Sequence, residues 1–354
     1  RWWLGHCRAP PQNRGAKASV LFIVKGTKTA MKSIGIYIIR GISLLFAVTI
    51  FAFILASVSP VDPIRQYIQA NPGVSEENVL RMEEYWGLND PPVQRYGKWL
   101  SAVLHGDWGY STSFRQPVIQ VIGSRFKTSL ALMLTAWTFS GLLGFAVGCL
   151  MARFRDRWPD RIIKRICLIM CSIPTFWIGL VFLAFFSAIL KWFPFGMAVP
   201  VGIPAEAVTL GQRIHHLILP ALTLSFLSFA NLALHTREKL LEVYDSDYAL
   251  FARARGSGDG RILFRHGIRN ALLPAVTMQF GSFGELFGGS VFAENIFSYP
   301  GIGAATSAAG TGGTDIPLFL GIVLFTACFI FAGNLIANIL YQVIDPRTRE
   351  GAKE

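Results

Sequence analysis

Six stretches of this chain are apolar over eighteen or more residues, with polar or charged segments between them. They are Ile34–Ser57, Thr128–Met151, Ile166–Leu190, Leu217–Leu234, Ala271–Phe292 and Pro317–Ile344. A helix needs about 20 mostly apolar residues to cross a hydrocarbon core about 30 Å thick. The pattern therefore predicts an all-α membrane protein with about six transmembrane helices. The first, second, third and sixth stretches are long and nearly free of charge, whereas the fourth is short and the fifth holds Glu285 and several glycines.

Composition supports this class. Of 354 residues, 52% are hydrophobic and only 15% charged, with a mean hydropathy of +0.45, against roughly 25% charged in a soluble chain. The net charge of +12 could suggest nucleic acid, but its placement argues otherwise. Arg153, Arg155, Arg157, Arg161, Lys164 and Arg165 crowd one short segment, and the stretch from Glu294 to Ile316 has no Lys or Arg. Basic residues in short loops mark the cytoplasmic side, so both termini are expected there. No segment is long and soluble enough to present a basic face to nucleic acid.

The first thirty residues, Arg1–Ala30, are basic and contain Pro10-Pro11; Met31-Lys32 before an apolar run resembles a natural start. They are expected to be an upstream extension or an unstructured cytoplasmic tail, without the order of a signal peptide. The extracytoplasmic segment Pro60–Lys127 is expected to fold as a small cap. Within it, Arg81–Trp86 (with Glu76-Glu77 ahead) and Val93–Leu104 read as short helices around the turn Asn89-Asp90-Pro91-Pro92. Cys167 and Cys171 lie one helical turn apart, but no His or acid accompanies them, so they read as small apolar residues and no metal site is expected. Gly144 and Gly148, like Gly284 and Gly288, allow close helix packing.

The inner loop His235–Asn270 carries the most information. Asp247–Gly256 reads as a compact Ala/Arg-rich helix ending at glycine, Ser257-Gly258-Asp259-Gly260 breaks it, and Arg261–Asn270 resumes. Small alanines admit another surface, and arginines offer donors to a partner's carboxylates. An ordinary solvated basic loop fits the same residues. Arg253 and Arg255, two apart on a helix, point in different directions. In the fifth span, Glu285 is an intramembrane acid, a functional candidate by default; it could line a path or be a paired acid at an interface. Asn231, Gln279 and Asn334 are weaker path candidates that equally suit interhelical hydrogen bonds. No phosphate-cradling loop, zinc-protease helix or nucleophile elbow occurs, so catalytic residues are not expected.

These residues also carry a resemblance. Ala252-Arg253-Ala254-Arg255-Gly256 with Arg265-His266, Arg269-Asn270-Ala271 and Leu273-Pro274 resembles the cytoplasmic loop of ABC-transporter permeases. More narrowly, the chain is similar to the first-type permease subunit of dipeptide/oligopeptide/nickel importers. The matching motifs run from Gly87-Leu88-Asn89-Asp90-Pro91 and Gly106-Asp107-Trp108-Gly109 to Ser172-Ile173-Pro174-Thr175-Phe176-Trp177. They continue through Glu294–Gly303 to Asn334, Tyr341 and Asp345-Pro346-Arg347. Where the broader family often opens the loop motif with an acid, this chain has Leu250-Phe251, and Ser257 follows the motif glycine.

The resemblance implies an importer subunit translocating peptides, or alternatively nickel or metal chelates. It implies a second homologous permease, two cytoplasmic ATPase subunits that use the ATP, and an extracytoplasmic substrate-binding protein. The chain itself would bind no cofactor. Ala252, Arg253, Ala254, Arg255, Gly256 and Arg265 would dock the ATPase; Glu285, Asn231 and Gln279 are path candidates. The rival class is a self-contained secondary transporter or channel, which would need charge pairs and an internal repeat.

Overall fold

The structure, a computed structural model, describes residues 14–58, 90–204, 207–311 and 315–344 and a few positions between 68 and 84. Side chains within these ranges are described from 37 to 339, 227 and 311 excepted. The described residues are mostly helical. In order come α1 (Arg14–Val58), α2 (Pro92–Leu104), a hairpin of β1 (Tyr110–Ser111) and β2 (Gln116–Pro117), α3 (Val118–Arg153) and α4 (Trp158–Ser172). Next are α5 (Thr175–Phe182), prolonged by a π-helical stretch Leu183–Ile189, and α6 (Leu210–Tyr244). Then follow α7 (Asp247–Ala254), α8 (Asp259–Ile262) with a π-helical Leu263–Gly267, α9 (Ile268–Gly281), α10 (Phe283–Ile296), α11 (Ile302–Thr311) and α12 (Ile316–Ile344).

Among the described residues, three helical stretches are long and apolar enough to cross a membrane: Tyr37–Val58, Val118–Arg153 and Ile316–Ile339. Two bent pairs raise the number to five if each counts as one span. One is α6, bent by 49° between Phe226 and Ser228; the other joins α4 to α5 through 107°. The third apolar stretch, expected as one span over Ile166–Leu190, is thus two helices. Ile173 is extended (φ −93°, ψ 128°) before Pro174, because a proline excludes its predecessor from the helical region. The fifth stretch, Ala271–Phe292, falls within α9 and α10, which part at Ser282.

Helix boundaries run past the apolar runs. The last ten residues of the expected extracytoplasmic segment already belong to α3, and α6 begins at a capping box. There Gln212 N–H donates to Thr209 Oγ1, and Thr209 N–H donates to Gln212 Oε1. The segment before the hairpin forms α2, which opens on a proline at the position that tolerates one. Tyr96 Oη lies 2.9 Å from Thr49 Oγ1, so α2 lies on α1. The other expected short helix, around Arg81–Trp86, lies largely outside the described residues. Of the expected unstructured extension, 14–30 lie in α1 and 1–13 lie outside the described residues.

Side-chain contacts give the helix directions. A Cβ on Gly144 would lie 3.0 Å from the Phe229 carbonyl oxygen, and one on Gly148 would lie 2.7 Å from that of Ala233, so α3 and α6 run parallel in close contact. Ser129 meets Glu294 and Trp137 meets Gln279, so α10 and α9 run antiparallel to α3. Gly41 packs on Phe331, and Phe53 shares a cluster with Leu320, so α1 opposes α12. The bundle therefore has a hairpin end, with Ser111, Glu294 and Asp315, and a loop end, with Asp245 and α7.

Buried charge pins each end. At the loop end Arg237 donates from Nε and Nη2 to Asp160 Oδ1 and Oδ2, at 2.6 and 2.7 Å, with both residues buried. Asp160 also accepts the Asp156 N–H. At the hairpin end Glu294 accepts from Ser129 Oγ at 2.7 Å and from the Ala304 N–H at 3.1 Å, near the N-terminus of α11. Asp315 accepts from Ser111 Oγ and the Ser113 N–H while receiving the Leu318 N–H, so it ties the hairpin to the start of α12.

Asp160→Asn leaves the Arg237 cation buried beside a neutral amide and should cost about 3–5 kcal/mol, read as an earlier unfolding transition in mild detergent. Glu294→Gln places an amide N–H₂ among donors and should cost about 1–3 kcal/mol by the same measurement.

Candidate functional site

The loop between α6 and α9 is braced from within. Asp245 caps α6 and accepts from Arg155 Nη1 at 2.6 Å; that hydrogen bond, aided by the arginine's charge, holds its carboxyl below the usual range. α7 then starts at Asp247, whose charge suits a helix N-terminus. Ala249 is fully buried in a cluster with Ala152, Leu240, Tyr244, Ile262 and Leu263, and Ala252 packs against it. The small residues at these positions bring α7 close to the ends of α3 and α6.

The helix ends in a Schellman motif: Ser257 N–H donates to the Ala252 carbonyl and Gly256 N–H to that of Arg253, at 3.0 and 2.8 Å. Gly256 has φ +83°, the left-handed conformation the motif needs and a side chain resists. The chain turns there into α8, and the π-helical stretch carries it without interruption into α9.

The two motif arginines have different work. Arg253 Nη1 donates to the Tyr244 carbonyl at 3.0 Å and Nε to Asp259 Oδ1 at 3.2 Å. It fastens α7 to the end of α6 and the start of α8. Arg255 instead lies over the Phe251 ring, 5.7 Å from its centroid. Leu250 and Phe251 are 65% and 64% exposed, and Ala254, Arg255 and Arg265 are exposed with them. These five include an apolar, cationic knob at 250–255 at the loop end of the bundle. Phe264, 74% exposed, adds a second aromatic.

The path candidates separate as clearly. Gln279 is buried and donates from Nε2 to the Trp137 carbonyl and Ser140 Oγ, at 2.7 and 2.9 Å, while Trp137 Nε1 donates to its carbonyl. Asn231 accepts from Cys171 Sγ at 3.1 Å. Both side chains join helices. Glu285 is exposed, and no described residue bonds to it. It lies on one face of the α9–α10 segment with Gly281, Gly288 and Phe292, all exposed, while Leu286, Phe287, Ser290 and Glu294 face inward. An acid turned to lipid at mid-depth costs about 2.5–3.5 kcal/mol on insertion scales, so this face suits a polar cavity or another protein. A Cβ on Gly284, on the adjoining face, would meet Asn334 of α12 at ordinary contact distance.

Sequence reasoning passed over three buried carboxylates. Glu294 appears there only inside a motif, while Asp160 and Asp315 have no periodic signal at all. Their partners, Ser129, Arg237 and Ser111, lie far off in the chain, and a single sequence does not show such pairs.

Residues 144–350 match the family described as binding-protein-dependent transport system inner membrane component. The chain is 35% identical over 316 residues to the oligopeptide transport system permease protein AppB of Bacillus subtilis (strain 168), covering 88% of this chain and 98% of that protein. It is 33% identical over 306 residues to the glutathione transport system permease protein GsiC of Escherichia coli (strain K12), covering 86% and 94%. An inward-facing structure of the MetNI methionine ABC transporter superposes with a TM-score of 0.52 at 15% identity, covering 65% of this chain and 98% of that one, and shares the fold. The chain thus belongs to the binding-protein-dependent transport system inner membrane components, as a multi-pass, non-catalytic permease of an ABC importer.

Proposed function

We propose that this permease carries peptides inward and takes its driving force from two ATPase subunits held at the loop end. The observation that carries the reading is the knob of Leu250, Phe251 and Arg255, exposed on a short helix that Arg253, Ala249 and Gly256 hold rigidly in place. A rigid, partly apolar projection transmits a push without first being ordered, and its arginine can meet a carboxylate. Leu250-Phe251, at the place where the broader family often has an acid, supply apolar anchors in this chain. Ala254 and Arg265 flank them.

Six crossings with both termini in the cytoplasm fit the helix directions. α3, α6 and α12 run one way, α1 and α9–α10 the other, and the bent α4–α5 unit returns the chain from the loop end to the start of α6. The basic loop Arg153–Arg165 assigns the loop end to the cytoplasm. The hairpin end then faces a substrate-binding protein outside. Glu285 and the exposed face around it meet a second, homologous permease, and the cargo passes between the two. A carboxylate there suits the cationic amino terminus of a peptide. The relatives named for oligopeptides and glutathione support the same cargo. ATP binding and hydrolysis on the partner subunits then bias two arrangements of the permease pair through differential contacts at the knob.

Replacing Leu250 and Phe251 by Ser should weaken ATPase association on the order of thirtyfold, as loss of a hot spot of about 2 kcal/mol does. The thermal midpoint of the isolated permease should stay unchanged; undiminished co-purification at limiting ATPase would sink the docking reading. Glu285→Gln should raise the KM for peptide uptake about tenfold, the cost of one charge-assisted hydrogen bond, with assembly intact. Unchanged uptake in vesicles removes Glu285 from the path, and uptake of nickel chelates but not peptides overturns the cargo.

A further inference from the structure

The helix α4 has three faces. Asp160, Ile163, Cys167 and Met170 point inward and pack on α6. Trp158, Ile162, Ile166 and Ile169 form a stripe 74%, 47%, 50% and 59% exposed. Arg157, Arg161 and Lys164 form a third, exposed stripe, with Arg165 between it and the apolar one. At 100° per residue the basic and apolar stripes lie side by side around the helix.

The direction of α4 fits this surface. From Asp160 opposite Arg237 to Cys171 opposite Asn231, α4 advances nearly twice as many residues as α6 does, so the two cross obliquely. At Pro174 the chain then turns through 107° into α5. Arginines spread over its first two turns cost a few kcal/mol each in hydrocarbon, so they favour a helix that keeps both turns at headgroup level. Lying along the boundary, it places the Trp158 stripe in the acyl region and the basic stripe at headgroup level. The three guanidinium groups of Arg157, Arg161 and Arg165 have no carboxylate within ion-pair distance among the described residues. Lys164 lies near Asp160, which Arg237 already holds.

We propose that α4 is an interfacial helix that binds the anionic phospholipid headgroups of the membrane surface at the loop end. The binding anchors the segment from which α3 hands over to α5, and the Asp160–Arg237 pair connects that anchor to α6, the helix that leads into the docking knob. The proposal rests on membrane insertion alone and stands whatever the cargo.

The assembled transporter in nanodiscs of equal phosphatidylcholine and phosphatidylglycerol is transferred to detergent, and the retained lipid is measured by native mass spectrometry. Wild type should keep phosphatidylglycerol in several-fold excess, and that excess should fade in 1 M salt, where screening extends only about 3 Å. Arg161→Gln/Lys164→Gln/Arg165→Gln should lower the affinity for phosphatidylglycerol on the order of a hundredfold. Arg161→Lys/Arg165→Lys should keep it. No excess in wild type, or an excess indifferent to salt, overturns the proposal without any variant. Loss of an ATPase or the second permease from the Gln variant, with lipid retention unchanged, assigns the surface to protein and also overturns it.

Discussion

The pairing of Arg237 with Asp160 is the contact on which the loop end depends. Both groups are buried, so neither can give up its partner without leaving a charge in a poorly solvating interior. The two bonds are parallel and charge-assisted, and that geometry fixes orientation as well as distance. α4 is therefore held to α6 two turns before α6 ends. The Arg155–Asp245 bond fixes the linker ahead of α4 to the cap of α6, and the glycine contacts of α3 bring the third helix against the same segment. The loop between α6 and α9 grows out of this block, and its internal arginine, Arg253, continues the bracing outward.

The hairpin end solves a different problem with similar chemistry. Helices α11 and α12 begin there with unpaired backbone amides, and a side-chain acid meets each: Glu294 from α10 for α11, and Asp315 at the start of α12. Each acid also takes a serine hydroxyl from a distant part of the chain. Acceptors at helix N-termini satisfy amides that lipid would leave bare. With both ends locked by buried acids, the places left to move are the break at Pro174, the bend in α6 and the divide at Ser282. The last two lie where α6 and the Glu285 face run through the middle of the bundle.

Apolar periodicity exposed what depends on bulk transfer to lipid. Each of its six stretches falls largely in helix, and three to five of them are long and apolar enough to span among the described residues, because burial of about twenty apolar residues is a local property of the sequence. It misplaced their limits, since amides past the apolar run still prefer helix when capped, as Thr209 and Gln212 show. It does not show the 107° bend at Pro174 inside Ile166–Leu190, because hydropathy is blind to backbone direction. In the candidate site, the compact helix ending at Gly256 was legible from its composition and its glycine. The division of labour between Arg253 and Arg255 was legible only as a difference in direction; which one turns inward depends on Tyr244 and Asp259.

That division bears on how a permease can be both stable and mobile. A coupling element loses force if it must fold as it is pushed, so its own contacts should be complete before a partner arrives. Arg253, Ala249 and the Schellman turn complete them and leave Arg255, Leu250 and Phe251 uncommitted. The cost of ordering is met in the folded permease, so under the docking we propose the binding energy of the knob would remain for discriminating between two ATPase arrangements. The same economy holds in the α9–α10 segment: Gln279 and Glu294 are consumed in joining helices, and Glu285 alone of the three is left facing outward. In both places the residue free to act is the one whose neighbour in the motif has been spent on structure.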